Sequence, residues 1–211
     1  MTKHDEKDAQ PRIIICRASE VLKKVGEEPV KAVLSIEHPG AEFDKNGSAP
    51  LVAENGRADI AQKVLVFWDS EQPVKDGPDK KQVKQGLEFV MDHIGEGPVI
   101  IHCHAGKARS TALALGVLSL LYPDEDETKL LDMLLDMRPQ AAPNILVVEM
   151  VDELTGRNGK LLQATLDHPI IAEQRAQAES NRQDILRERP EFYQRMFPEK
   201  AVRPAPKKPR K

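Results

Sequence analysis

The stretch Pro98-Val-Ile-Ile-His-Cys-His-Ala-Gly-Lys-Ala-Arg-Ser110 decides how the rest of the chain is read. Pro98 to His102 is a short apolar run of the kind that forms a buried strand. Ser110 to Leu121 is apolar on nearly every side, the pattern of a helix enclosed by its own domain. Between them lies a short loop containing Gly106. A loop joining a strand end to a helix start turns backbone N–H groups toward the positive end of the helix dipole, which makes an anion cradle. Arg109 adds a planar, two-pronged donor that lysine cannot imitate. The same field favours a thiolate on Cys103, so anion binding and nucleophile activation share one device. Ser110 stands where its hydroxyl can donate to that thiolate, and Gly106 supplies the positive φ that a tight ring demands. Ala105 and Ala108, with His104 and Lys107, complete the loop that would surround a phosphate. His102 precedes the cysteine on the strand and therefore faces the other side of the sheet, where it orients the loop through hydrogen bonds.

Working outward, the pattern alternates between strands and helices. Arg12 to Cys16, Lys31 to Ile36 and Val64 to Phe67 read as further strands, and Ser19 to Val25 reads as a brief helix ending at Gly26. Val83, Leu87, Val90 and Ile94 place one apolar face on a helix from Asp79 to Ile94. Asp124 to Glu127 put acidic groups in the first turn of a helix that runs to Arg138, and Pro143-Asn144 opens another that closes at Gly156. Residues 38–59 are dense in turn formers and read as a loop. The expected fold is α/β, with a central, mainly parallel sheet of about four to five strands flanked by helices and a helical C-terminal extension. The expected organisation is an N-terminal tail at 1–10, one domain at 11–168, a helical extension at 169–199 and a basic, disordered tail at 200–211. Ile170 to Arg189 reads as a solvated helix. Phe192, Tyr193, Met196 and Phe197 share one face of a further turn, expected to dock on the domain.

Composition narrows the class. The chain has 211 residues, a formal net charge of -3 and 40% hydrophobic residues, enough for one core and an appendage. A charged start and the absence of a run near about 18 apolar residues point to a soluble, cytoplasmic protein with no membrane span. Cys16 and Cys103 are the two cysteines, and neither belongs to a C-x-x-C pair, so neither a disulfide framework nor a cysteine-rich zinc site is expected. His102, Cys103 and His104 are neighbours on an extended segment and cannot all face one ion, so no metal and no cofactor is expected. Cys16 is read as a buried strand cysteine, with a redox partnership with Cys103 as the alternative. The net charge marks no nucleic-acid site, although the tail Lys200 to Lys211 is basic enough to meet an anionic partner.

The stretch resembles the H-C-x5-R-[ST] signature of the cysteine-dependent protein tyrosine phosphatase superfamily, and the short domain resembles its dual-specificity and small bacterial tyrosine phosphatase branch. The resemblance covers residues 10–168 and is strongest over Val99 to Ala112. It implies that Cys103 attacks a phosphoester, that Arg109 binds the phosphoryl oxygens, and that an aspartate on a separate loop protonates the leaving group and then activates water. In Phe67-Trp-Asp-Ser-Glu-Gln-Pro73 the order of aromatic, Asp and Pro resembles the family's acid loop and nominates Asp69, with Glu71 and Asp76 as fallbacks. Asn144, in Ala141-Ala-Pro-Asn144, resembles a position that braces the phosphate loop, and a helix cap explains it as well. The implied substrates are phosphorylated proteins or small phosphoesters, phosphotyrosine first and phosphoserine or phosphothreonine second. Cys-x-Ala-Gly-Lys-x-Arg also resembles the loop of inositol-phosphate and phosphoinositide phosphatases, and His104 and Lys107 make the ring more cationic than phosphotyrosine requires. The rivals are a non-catalytic phosphate-binding adaptor and a sulfur-transfer or arsenate-reducing enzyme of similar design.

Overall fold

The computed structural model describes residues 12–40 and 50–191. The tails expected at 1–10 and 200–211, and the Phe192 to Phe197 patch, lie outside the described residues. Four strands form one parallel sheet: β1 (Ile13–Arg17), β2 (Ala32–Glu37), β3 (Ala61–Val66) and β4 (Val99–Cys103), in the order β1-β4-β2-β3. β4, which ends in the cysteine, is thus an inner strand, paired on one side with β1 and on the other with β2. Seven α-helices accompany the sheet among the described residues: α1 (Val21–Glu27), α2 (Lys80–His93), α3 (Arg109–Leu121), α4 (Glu127–Met137), α5 (Ile145–Thr155), α6 (Lys160–Asp167) and α7 (Pro169–Glu188).

Alternation along the strands sends side chains to two separate cores. Ile13, Ile15, Leu34, Ile36, Val99, Ile101 and Cys103 face a large core against α2 to α6. Ile14, Cys16, Val33 and Ile100 face a smaller one formed with Val21 and Val25 of α1 and with Val52 and Ile60. α3 lies at the centre of the larger layer and buries eleven of its thirteen residues, from Arg109 to Ser119. Gly116 on α3 lets α5 approach closely, since a Cβ there would sit 2.9 Å from Val151 Cγ1.

Three features depart from the expectation. β3 begins three residues before the apolar run at Val64, because Ala61, Gln62 and Lys63 lie on the sheet edge, where half-exposed polar residues still join the ladder. α6 has no counterpart in the sequence reading. Its start is organised by the buried Asp152 carboxylate, which accepts from Gly159 N at 2.5 Å and Leu162 N at 3.0 Å. α7 forms at the expected place, yet it is not simply solvated, because Ile171 is fully buried against the larger core.

The smaller core holds a polar chain that ties the β2–β3 connection to the sheet. His102 Nε2 lies 2.8 Å from Ser35 Oγ, Gln62 Nε2 donates to the same hydroxyl at 2.9 Å and to Pro50 O at 2.9 Å, and Gln62 Oε1 accepts from Val52 N at 2.9 Å. His102 is fully buried, and burial pushes its imidazole down from 6.5 to about 4, helped by the nearby Arg109 charge. A buried histidine that resists protonation leaves stability intact above 6.5, whereas between 6.5 and about 4 the unfolded chain takes up a proton that the folded one refuses. The denaturation midpoint of the wild type is therefore expected to fall more steeply than that of His102→Gln as pH drops through this window. Parallel slopes in chemical denaturation at several pH values would contradict it.

Candidate active site

β4 delivers Cys103 to the C-terminal edge of the sheet, and the chain then turns through residues 104–108 into α3. Open parallel sheets gather their sites at that edge. The loop is held by its carbonyls. His104 O accepts from Ala18 N at 3.3 Å, Ala105 O from Arg138 Nη2 at 3.2 Å and Gly106 O from Arg138 Nε at 2.9 Å. Lys107 O accepts from Ala142 N at 2.8 Å, and Ala108 O from Asn144 N at 3.3 Å. Thr111 Oγ1 adds bonds to Lys107 O and Ala108 O. Five successive carbonyls, of residues 104 to 108, are thus drawn toward protein donors, while among the described residues the N–H groups of 105–108 have no protein acceptor. Such a loop presents donors to whatever occupies its centre. Gly106 makes the turn at φ 65°, and a Cβ there would stand 2.4 Å from Cys16 O, so both conformation and space require glycine.

Cys103 is buried, 3% exposed, with Sγ 3.3 Å from Ser110 Oγ. Arg109 is the first residue of α3, and Nη1 donates to Glu37 O at 3.0 Å and Phe67 O at 2.8 Å, which pins the guanidinium beneath the ends of β2 and β3. Its Nε is buried and, among the described residues, has no protein acceptor. α2, α4 and α5 start with side-chain caps from Asp79, Asp126 and Asn144, while α3 has none at Ala108. The donors at the head of α3 and one edge of Arg109 are therefore available to an anion.

Asp69, Cys103, Arg109 and the loop residues His104, Ala105, Lys107 and Ala108 all line one pocket of about 200 Å³. Asp69 reaches it from the segment after β3. Asn144 Nδ2 donates to Asp69 Oδ1 at 2.7 Å and to Ser70 O at 3.1 Å, while Asn144 Oδ1 caps α5 at Val147 N. The Asn144 backbone N–H thus holds the loop at Ala108 O, and its side-chain oxygen caps α5. Its amide also holds the aspartate, which the sequence did not suggest. The fallback carboxylates do not line the pocket: Glu71 pairs with Arg175, and Asp76 opens onto a separate surface recess with Pro39 and Gln82. Cys16 is opposite His102 in the ladder and faces the smaller core, whereas Cys103 faces the larger one. Two thiols on opposite faces of a sheet cannot be bridged without moving backbone. Burial pushes the Cys16 thiol up to about 12, the state of an inert core residue.

Several contributors went unread in the sequence. Arg138 is the principal brace of the loop, but it looks like the last residue of a helix before Pro139. His38 and Trp68 stack at 5.6 Å with an interplanar angle of 7° and form one wall of the pocket. Ala178, Asn181 and Arg182 bring α7 to the same pocket. Trp68 belongs to the aromatic-Asp order already read, but no local signal marks Arg138, His38, Ala178, Asn181 or Arg182, because each acts across a long sequence separation.

No family model matches the chain, and no curated protein does. Among solved structures, PTPMT1 in complex with PI(5)P is 15% identical, covers 69% of this chain and 91% of its own, and superposes with a TM-score of 0.53. DUSP15 is 18% identical, with coverage of 75% and 92% and a TM-score of 0.54. A human tyrosine phosphatase-like serine/threonine/tyrosine-interacting protein is 16% identical, with coverage of 67% and 86% and a TM-score of 0.52. Identities this low speak for architecture alone. Among the described residues no helix is long and apolar enough to cross a membrane. The parallel sheet, the loop at the end of β4 and the buried helix that follows give this chain the fold of the dual-specificity-like, cysteine-dependent phosphatases.

Proposed function

We propose that the protein is a phosphomonoesterase that works through a cysteinyl-phosphate intermediate, with protein phosphotyrosine as its first substrate class and phosphoserine or phosphothreonine as the second. The observation that carries this reading is the convergence of Cys103, Arg109 and Asp69 on one pocket floored by the donor loop. The Cys103 thiolate attacks phosphorus, and the bond from phosphorus to the ester oxygen breaks. Asp69 gives its proton to that departing oxygen. Water then attacks the phosphocysteine, Asp69 takes a proton from it, and the sulfur–phosphorus bond breaks to release inorganic phosphate and regenerate the thiolate. Arg109 and the loop N–H groups hold the three non-bridging oxygens through both steps, where charge stabilisation by fixed donors does most. Ser110, 3.3 Å from the sulfur, stabilises the thiolate as it leaves. His102 supports the loop as a neutral group from the other face of the sheet.

The stacked His38 and Trp68 wall suits an aryl ester, which favours phosphotyrosine. His104, Lys107 and Arg182 line the same pocket and support a second reading, a phosphatase of inositol phosphates or phosphoinositides, in keeping with the PI(5)P bound to PTPMT1. A non-catalytic phosphate-binding adaptor would have no use for Asp69 in the pocket. In this reading residues 11–168 form the phosphatase domain, α7 belongs to an extension of it, and the basic residues 200–211 suit an anionic partner.

The wild type is expected to hydrolyse para-nitrophenyl phosphate with a burst of product, and Cys103→Ser to fall to background; a Cys103→Ser protein that keeps most of the activity rules out the covalent route. Asp69→Ala is expected to lower kcat by roughly 10²- to 10⁴-fold, the usual worth of a general acid, with little change in phosphate affinity. An unchanged kcat would move the acid elsewhere. Initial rates on phosphotyrosine and phosphoserine peptides and on inositol phosphates rank the substrate classes.

A further inference from the structure

α7 turns one face toward the site. Ile171, Arg175, Ala178 and Arg182 are spaced by four, three and four residues, which aligns them along a single stripe of a helix. Ile171 is fully buried and anchors the stripe, while Ala178 and Arg182 reach the pocket that holds Cys103. Arg175, between them, makes a fork. Its Nη1 lies 2.7 Å from Glu71 Oε1 and its Nη2 lies 3.2 Å from Glu71 Oε2. The same Nη1 donates to Pro143 O at 2.7 Å. Glu71 is two residues beyond Asp69, and Pro143 directly precedes Asn144, whose amide holds Asp69 at 2.7 Å. One guanidinium therefore joins the acid segment to the residue that aims it. Arg175 and Glu71 are both half-buried, where a bidentate pair is worth more than an exposed one.

On the reading of Asp69 as general acid, we infer that Arg175 is a positioning residue: the Arg175 fork on Glu71 and Pro143 holds the 69–71 segment so that the Asp69 carboxyl faces the leaving oxygen. Asn144 fixes the aspartate from the α5 side, and Arg175 fixes the segment from the α7 side. The extension is then part of the catalytic apparatus, since removing its hold frees Asp69 without touching Cys103, Arg109 or the loop. A general acid matters most when the departing oxygen is a poor leaving group, and hardly at all when the oxygen leaves readily as an anion.

That difference separates catalytic positioning from simple docking of a helix. Steady-state kinetics on phenyl phosphate, whose phenol leaves poorly, and on 2,4-dinitrophenyl phosphate, whose phenol leaves readily, would be compared for wild type, Arg175→Met, Arg175→Lys and Glu71→Gln. Arg175→Met is expected to lower kcat/KM, which reports the step in which Asp69 protonates the leaving oxygen, about tenfold on phenyl phosphate and no more than about twofold on the dinitrophenyl ester, while kcat, which includes the water-activation step common to both, falls alike on the two. Glu71→Gln, which leaves α7 and its buried Ile171 unaltered, is expected to fall in the same direction, and Arg175→Lys to recover part of the loss. An equal fall in kcat/KM on both esters, or no fall on either, in a wild type that turns both over would overturn the positioning role alone. Absence of turnover by the wild type on both esters would overturn the phosphatase reading and the role of Arg175 with it.

Discussion

The site depends on where five carbonyl groups point. A loop of residues 104–108 has as many acceptors as donors, and only a loop whose acceptors are occupied elsewhere can offer its donors to an anion. Here Ala18, Arg138, Ala142 and Asn144 occupy them. They come from three separate parts of the chain: the turn after β1, the end of α4 and the segment that opens α5. The sheet order matters for the same reason. β4 between β1 and β2 places the loop where the start of α1's layer and the helices of the larger core can both grip it.

Arg109 repeats this logic in one side chain. A guanidinium buried at 5% exposure would be costly if left to itself, and Nη1 is satisfied by the carbonyls of Glu37 and Phe67. Those carbonyls also fix its orientation, with the buried Nε given no protein acceptor among the described residues. Asn144 plays the corresponding part for Asp69. One short side chain caps a helix with its oxygen and steers a carboxylate with its nitrogen, while its backbone holds the cradle.

Much of this was legible in the residues. The apolar run ending in His102-Cys103 and the all-round apolar helix after Arg109 specify an inner strand and a buried helix, because only those environments accept such patterns. Gly106 and Arg109 at their spacing from Cys103 mark the turn and the helix start that close the loop, and Asp69, nominated by the aromatic-Asp order after a strand end, lines the same pocket. The rest was hidden for definite reasons. Arg138 and Arg175 act through long-range contacts with carbonyls and a carboxylate, and a lone arginine near a helix end or on a polar helix looks the same whether or not it touches a site. α6 is only eight residues long, too short for its periodic face to stand out along the chain, and its start is set by the buried Asp152. The early start of β3 is an edge-strand effect, where pairing continues past the apolar residues.

The tethers of the loop also bind folding to ligand occupancy. The donors that organise residues 104–108 span the chain from Ala18 to Asn144, so the cradle comes into being only when β1, α4 and the head of α5 have closed around β4. A partly folded chain has no such ring, and an oxyanion that fills it stabilises the native state alone, by RT ln(1 + [L]/Kd). Contacts of such high sequence separation form late in folding. Phosphate, the product of the proposed reaction, would therefore act as a thermodynamic ligand of the finished fold, and its concentration would set part of the apparent stability of the protein.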